Sequence, residues 1–136
     1  MKNFELEKDA DGVLLVTFDM PGRSMNVLNV SSMAEIAELT DMIKTDESIK
    51  GAVITSGKKA FGAGADLEEM GGNLSGAQEL MAKDPEAAKK ALFDNVYKLN
   101  MLFRDLETCG KPVAAALNGL ALGGALEVEC EAYVGE

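Results

Sequence analysis

The sequence predicts an α/β fold, on three observations. Short β-rich runs recur at Val13–Phe18, Gly51–Ser56 and Val113–Leu117. Between them lie segments whose apolar residues are spaced by three and four, as amphipathic helices require. The second and third runs each open into a glycine-bearing segment followed by acidic helical sequence, "FGAGADLEE" and "NGLALGGALE". At 136 residues the chain has the length of one domain, and a chain of that size buries roughly two-thirds of the surface its unfolded form exposes.

Phe4 and Leu6 alternate with charged residues, Asp9 to Gly12 supplies turn chemistry, and Val13–Phe18 resumes the extended pattern, which predicts a β-hairpin. Pro21 and Gly22 in "DMPGRSMN" mark a loop. Ser32 and Glu35 read as a Ser-x-x-Glu capping box, and Met33, Ile36, Ala37 and Ile43 share a face, so a helix is predicted over 33–44. After the strand at 51–56, "KKAFGAGADLEEMGGNLSGA" is predicted to be the longest loop, with only a short helical turn after Asp66. Long glycine-bearing loops in compact domains are more often functional than not. Asp84 as cap and Pro85 at the first helical position begin a second helix. Its stripe of Leu92, Val96, Leu99, Phe103 and Leu106 runs until Cys109–Gly110 ends it. A buried strand at 113–117 turns at Asn118–Gly119, and a last helix runs from Gly124 toward Glu131, leaving 133–136 without a partner.

Composition narrows the chemistry. With 13 basic and 23 acidic residues the formal net charge is −10, which repels phosphate backbones and excludes nucleic acid as the expected partner. Anionic cofactors stay open, because a helix N-terminus or local lysines such as Lys58 and Lys59 can hold phosphates. There is no histidine, which removes Ser-His-Asp and Cys-His mechanisms together with histidine zinc sites. Cys109 and Cys130 form no CxxC pair and are expected as buried thiols in a reducing cytoplasm. The N-terminus is charged where a secretion signal needs an apolar stretch. The longest nearly apolar run, Pro112 to Leu126, is broken by Asn118 and falls short of the roughly 20 residues that span a bilayer. A soluble, cytoplasmic protein is expected.

The two glycine segments share one arrangement: a buried strand, small residues, then an acidic helix. Gly and Ala let backbone approach a ligand, so two such segments side by side can aim two N–H groups at one carbonyl oxygen, an oxyanion hole. Gly124 at a helix start adds the positive end of the helix dipole. Glu127, one turn further in among Leu122, Ala125 and Leu126, is expected to lose solvent, which raises a carboxyl pKa and makes it an acid or base near neutral pH. On pattern alone, "GGALE" also suits close helix-to-strand packing with Glu127 as a solvated helix residue. "GAGADL" has Leu67 where a dinucleotide loop needs a third Gly or Ala, so a nucleotide fingerprint is not met. Asp66 reads as a helix cap rather than a metal ligand.

Taken together, "MNVLN", "IKGAVITSG", "KAFGAGADL" and "KPVAAALNGLALGGALE", in this order and spacing, resemble the enoyl-CoA hydratase/isomerase (crotonase) superfamily over nearly the whole chain. "DMPGRSMNVLN" is most similar to the N-terminal hydratase part of multifunctional fatty-acid oxidation alpha subunits. The resemblance implies a ββα-spiral fold, of which residues 1–136 would be the N-terminal portion, truncated before the family's second catalytic glutamate and its trimerising helices. It implies that an acyl-CoA thioester oxygen sits between the N–H groups of Ala63 and Gly124, and that Glu127 orients or activates the water that adds to a trans-2-enoyl-CoA. Lys59 and Ala60 would meet the adenine end of coenzyme A, and Gly64, Ala65 and Asp66 would continue the substrate loop. No metal or redox cofactor is implied, coenzyme A entering as part of the substrate. A homo-oligomer, such as a trimer, or a fatty-acid oxidation complex is the implied assembly. Ala125 stands where the family most often has a third glycine, and "VECEAYVGE" is more acidic than the family's usual continuation. The rival expectations are an isomerase, thioester hydrolase or decarboxylase on the same scaffold, and a non-catalytic acyl-CoA-binding fragment.

Overall fold

The structure, a computed structural model, describes residues 1–131. Strands β1 (Phe4–Lys8) and β2 (Val13–Phe18) form the expected antiparallel hairpin, Phe4 opposite Phe18. Its turn is fixed by the Asp9 carboxylate, which accepts the N–H groups of Asp11 and Val13 at 2.9 and 2.8 Å, and by Gly12 at φ +89°, a conformation that favours glycine. Helix α1 (Val30–Thr45) then carries the chain over to β3 (Gly51–Ser56), which lies parallel to β2. Helices α2 (Leu67–Lys83) and α3 (Pro85–Glu107) lead to β4 (Val113–Ala115), parallel to β3, and α4 (Gly124–Glu131) follows. The sheet order is β1-β2-β3-β4: a mixed sheet with flanking helices, the α/β class that the sequence predicts.

One face of the sheet makes the core. Alternation in β2 buries Leu14, Val16 and Phe18, against which α1 sets Ile36, Leu39 and Ile43 and α3 sets Phe103 and Leu106. Each such side chain contributes about 1.5–3 kcal/mol when fully buried. Cys109 is buried as expected. The side chain of Cys130, and residues 133–136, lie outside what is described.

Several local expectations are corrected. Helix α1 starts at Val30 because Asn29, not Ser32, is its cap. The Asn29 Oδ1 accepts the Ser32 N–H and the Ser32 Oγ accepts the Asn29 N–H, both at 2.9 Å. Glu35 is thereby released from capping, and its carboxylate accepts the N–H of Asn3 (2.9 Å) and its Nδ2 (3.0 Å), pinning the N-terminus. Leu39 is buried where Ala37 was expected. The longest correction is α2, predicted as loop and found as a 17-residue helix capped by Asp66. None of its residues is buried, so no apolar stripe announced it. The stripe of α3 is buried only at its end: Leu92 and Val96 are 63% and 50% exposed. Strand β4 ends two residues early, where the Asn118 Nδ2 ties the chain to the carbonyls of Ser56 and Lys58 at 2.8 and 2.7 Å. Among the described residues no helix is long and apolar enough to cross a membrane.

Candidate active site

The segments that follow β3 and β4 run side by side. The N–H groups of Phe61 and Gly62 donate to the Leu120 carbonyl (2.9 and 3.2 Å), and the Leu122 N–H donates to the Gly62 carbonyl (3.1 Å). Their glycines are needed for this contact. A Cβ on Gly119 would lie 2.2 Å from the Lys59 carbonyl oxygen, and one on Gly64 would lie 2.8 Å from that of Leu122. Gly64 also holds φ +81°. Close backbone packing between the segments therefore accounts for these two glycines before any ligand is considered.

The N–H groups sort themselves by what they bond. The N–H of Ala63, one of the two expected donors, donates to the Asn26 carbonyl at 2.9 Å. The next candidate is Ala65. It bridges Leu28 in parallel fashion, with the Leu28 N–H on the Gly64 carbonyl (2.7 Å) and the Asp66 N–H on the Leu28 carbonyl (2.9 Å). That pattern turns the N–H of Ala65 itself away from Leu28. Among the described residues no acceptor meets the N–H of Ala65 or of Gly124, the latter in the first turn of α4, where helix N–H groups lack intrahelical partners. The unengaged N–H groups of the two segments are thus those of Ala65 and Gly124, while that of Ala63 is taken up by Asn26.

Both residues line one cleft of about 400 Å³, whose walls are largely apolar: Leu28, Val30, Met33, Met70, Val96 and Leu99. Glu127, from the same first turn as Gly124, stands in this cleft too. It is exposed, so the loss of solvent expected for it is not met. Glu69 is the second glutamate of the cleft, but its Oε2 accepts the Val30 N–H at 3.2 Å. Such a site offers two backbone donors, an apolar slot and a carboxylate.

The remaining site residues divide into supports and surface. Asp66 is buried and caps α2 as expected, accepting the Glu68 N–H at 3.1 Å while Arg23 Nη2 meets its other oxygen at 2.7 Å. Its carboxylate is thus engaged within the protein, and Asp66 also lines the cleft. Lys58 is paired with Asp19 at 2.6 Å, whereas Lys59 is exposed and enters no ion pair among the described residues. Ala60 is half-buried and its carbonyl accepts from the Ser56 Oγ at 2.8 Å. Among the described residues no group of His, Cys, Asp or Glu side chains is placed to hold a metal ion.

Two supports escaped the sequence reading. Asn26 is wholly buried: its Nδ2 donates to the Phe18 carbonyl (2.7 Å), the Ser56 Oγ (2.9 Å) and the Phe61 carbonyl (3.2 Å), and its Oδ1 accepts the Met20 N–H (3.0 Å). It joins the ends of β2 and β3 to the Ala63 segment. Its signal was a polar residue inside the apolar run "MNVL". Arg23, in "PGRSMN", carried no signal beyond being a lone cation in a loop.

Residues 8–132 match the family described as enoyl-CoA hydratase/isomerase. The chain is similar to the fatty acid oxidation complex subunit alpha of Idiomarina loihiensis (38% identical over 136 residues) and of Pseudomonas aeruginosa (39% over 118 residues). Those alignments take 98% and 86% of this chain but only 17% and 15% of the relatives. Among solved structures it is similar to an enoyl-CoA hydratase from Bacillus anthracis (TM-score 0.73, 23% identity) and one from Shewanella pealeana (TM-score 0.73, 22% identity). Each covers 96% of this chain, and the chain spans 45% and 44% of theirs. At such identities the likeness carries the fold, which is the N-terminal portion of the crotonase ββα spiral.

Proposed function

Because the chain belongs to the enoyl-CoA hydratase/isomerase family, we propose that it binds acyl-CoA thioesters and hydrates trans-2-enoyl-CoA in fatty-acid β-oxidation. The observation that carries this reading is the pair of unengaged N–H groups, Ala65 and Gly124, opening into one apolar cleft beside Glu127. The thioester oxygen lies between the two donors, which meet the negative charge that grows on it as water attacks C3. Glu127 takes the proton of that water as the oxygen bonds to C3, and return of that proton from Glu127 to C2 collapses the enolate to the 3-hydroxyacyl thioester and restores the carboxylate. The apolar walls hold the acyl chain, and the exposed Lys59, with Ala60, meets the adenine end of coenzyme A.

The relatives named as alpha subunits of a fatty acid oxidation complex support a wider reading. In it residues 1–136 are the leading part of a cytoplasmic hydratase/isomerase domain that works in a larger assembly, a homo-oligomer such as a trimer or an oxidation complex. A second reading is favoured by the exposure of Glu127: acyl-CoA binding without hydration, or a double-bond isomerisation that needs only one carboxylate.

Loss of the enoyl absorbance of crotonyl-CoA, followed with the protein and with Glu127→Gln, tests the hydratase reading, with calorimetric titration of butyryl-CoA alongside. Hydration that vanishes in Glu127→Gln while butyryl-CoA still binds is the expected result. Binding with no turnover in either protein would leave the second reading, and no binding at all would defeat both.

A further inference from the structure

Helix α2 begins directly after Asp66 and so governs how Ala65 sits, yet it buries no residue of its own. Polar contacts hold its first turn instead. Asp66, only 5% exposed, accepts the Glu68 N–H through Oδ1 and meets Arg23 Nη2 through Oδ2 at 2.7 Å. Glu69, in the same turn, accepts the N–H of Val30. Both ties run to one stretch of chain, the loop leaving β2 and the start of α1. Arg23 is itself 39% exposed, with Glu68 at 3.9 Å.

We infer that Arg23 is a positioning residue: acting through Asp66, it fixes the turn that aims the Ala65 N–H into the cleft. The inference rests on the function proposed above for what that N–H meets. On one side, the bridge to Leu28 holds the two peptides that flank Ala65. On the other side stands the Asp66 carboxylate, and a charge-assisted bond to a nearly buried carboxylate is both stronger and more directional than a neutral one. Without Arg23 that carboxylate would be left buried with no cation, a costly arrangement that is relieved by the turn moving outward or by protonation, and either loses the directional tie to the loop leaving β2. Oxyanion donors tolerate little displacement, because their effect depends on standing where charge develops.

The test uses Arg23→Met, Arg23→Lys, Asp66→Asn and the double variant Arg23→Met/Asp66→Asn. Asparagine keeps the capping oxygen and removes the charge. Three readouts are taken: amide hydrogen exchange over 62–70, kcat and KM for crotonyl-CoA hydration, and the carbonyl stretch of bound butyryl-CoA labelled with carbon-13 at C1. In Arg23→Met, exchange over 62–70 should speed up while that of β3 holds, and the carbonyl should lose much of its shift. The same variant should lower kcat about ten- to a hundred-fold with KM changed by less than about threefold. Arg23→Lys should recover most of the loss, Asp66→Asn should reproduce it, and the double variant should add nothing. Unchanged exchange in Arg23→Met overturns the inference, as does faster exchange with kcat and the carbonyl stretch unmoved, since Arg23 would then be a structural tie alone. If the unaltered protein neither hydrates crotonyl-CoA nor binds butyryl-CoA, the proposed function fails and the role toward a thioester falls with it. The exchange arm then still decides whether Arg23 orders the turn.

Discussion

The half of the molecule where the sheet meets α1 and the half built from α2 and the front of α3 are held by different forces. In the first, Leu39 and Ile43 are 1% and 0% exposed; in the second, Leu92 and Phe93 are 63% and 68% exposed, and α2 buries nothing. There the Asp66 and Asp84 caps and the Arg23–Asp66 pair fix the helix starts without comparable apolar burial. The candidate site lies on the seam. Asn26 and Leu28 bind the Ala63–Ala65 segment to the packed half, while Asp66 and Arg23 govern its far end. A ligand at the seam would thus meet donors with a rigid back and a polar, more easily altered front.

The largest effects should come from breaking the packed half. Asn26→Ala strips partners from buried groups on three segments and should cost about 3 kcal/mol or more. Leu39→Ala should cost about 2–5 kcal/mol, and Leu92→Ala no more than about 0.5 kcal/mol. Urea unfolding of the three variants checks the contrast, and equal losses at Leu39 and Leu92 would erase it. Glycines sharpen it further. Gly119→Ala must displace the backbone of Lys59 and should destabilise by about 1–3 kcal/mol. Gly71→Ala, in α2 with nothing within 4 Å of the added Cβ, should stabilise by about 0.5–1 kcal/mol. A thermal melt of each variant reads the sign.

How much of this was legible in the sequence follows the same divide. The hairpin, β3, the start of α3 and the start of α4 were readable because alternation, β-branched runs and the Asp84-Pro85 and Gly124 signals report local physics. Helix α2 was not, because a helix without a buried face shows no stripe and Gly71, Gly72 and Gly76 imitate loop composition. The site was legible in part. Gly124 and Glu127 came from one helix start and do share the cleft. Ala63 and Ala65 flank Gly64, and only the φ of +81° at that glycine, together with the bonds to Asn26 and Leu28, determines which N–H is left unengaged. Sequence spacing contains no such information. The solvation of Glu127 likewise depends on neighbours distant in sequence.

The smallest expected effect lies at the end of α1. There the Ser48 hydroxyl and N–H, with lesser help from Lys8 and Lys111, hold the Asp46 carboxyl below the ordinary aspartate value. A lowered pKa in the folded state means a contribution present above the unfolded value and lost as pH falls through the folded one, here below about pH 4. Ser48→Ala should move the Asp46 titration back up toward the ordinary value and shrink that acid-side loss. An NMR titration of the Asp46 carboxyl that is unmoved by Ser48→Ala would contradict this.

The central claim is that a thioester carbonyl meets the N–H groups of Ala65 and Gly124 and not that of Ala63. Nitrogen-15 NMR of the protein titrated with butyryl-CoA tests it most directly. The amide protons of Ala65 and Gly124 should move downfield together and exchange more slowly with solvent, while that of Ala63, already bonded to Asn26, stays in place. A titration in which Ala63 moves and Ala65 does not, or in which neither Ala65 nor Gly124 responds, would contradict the site described.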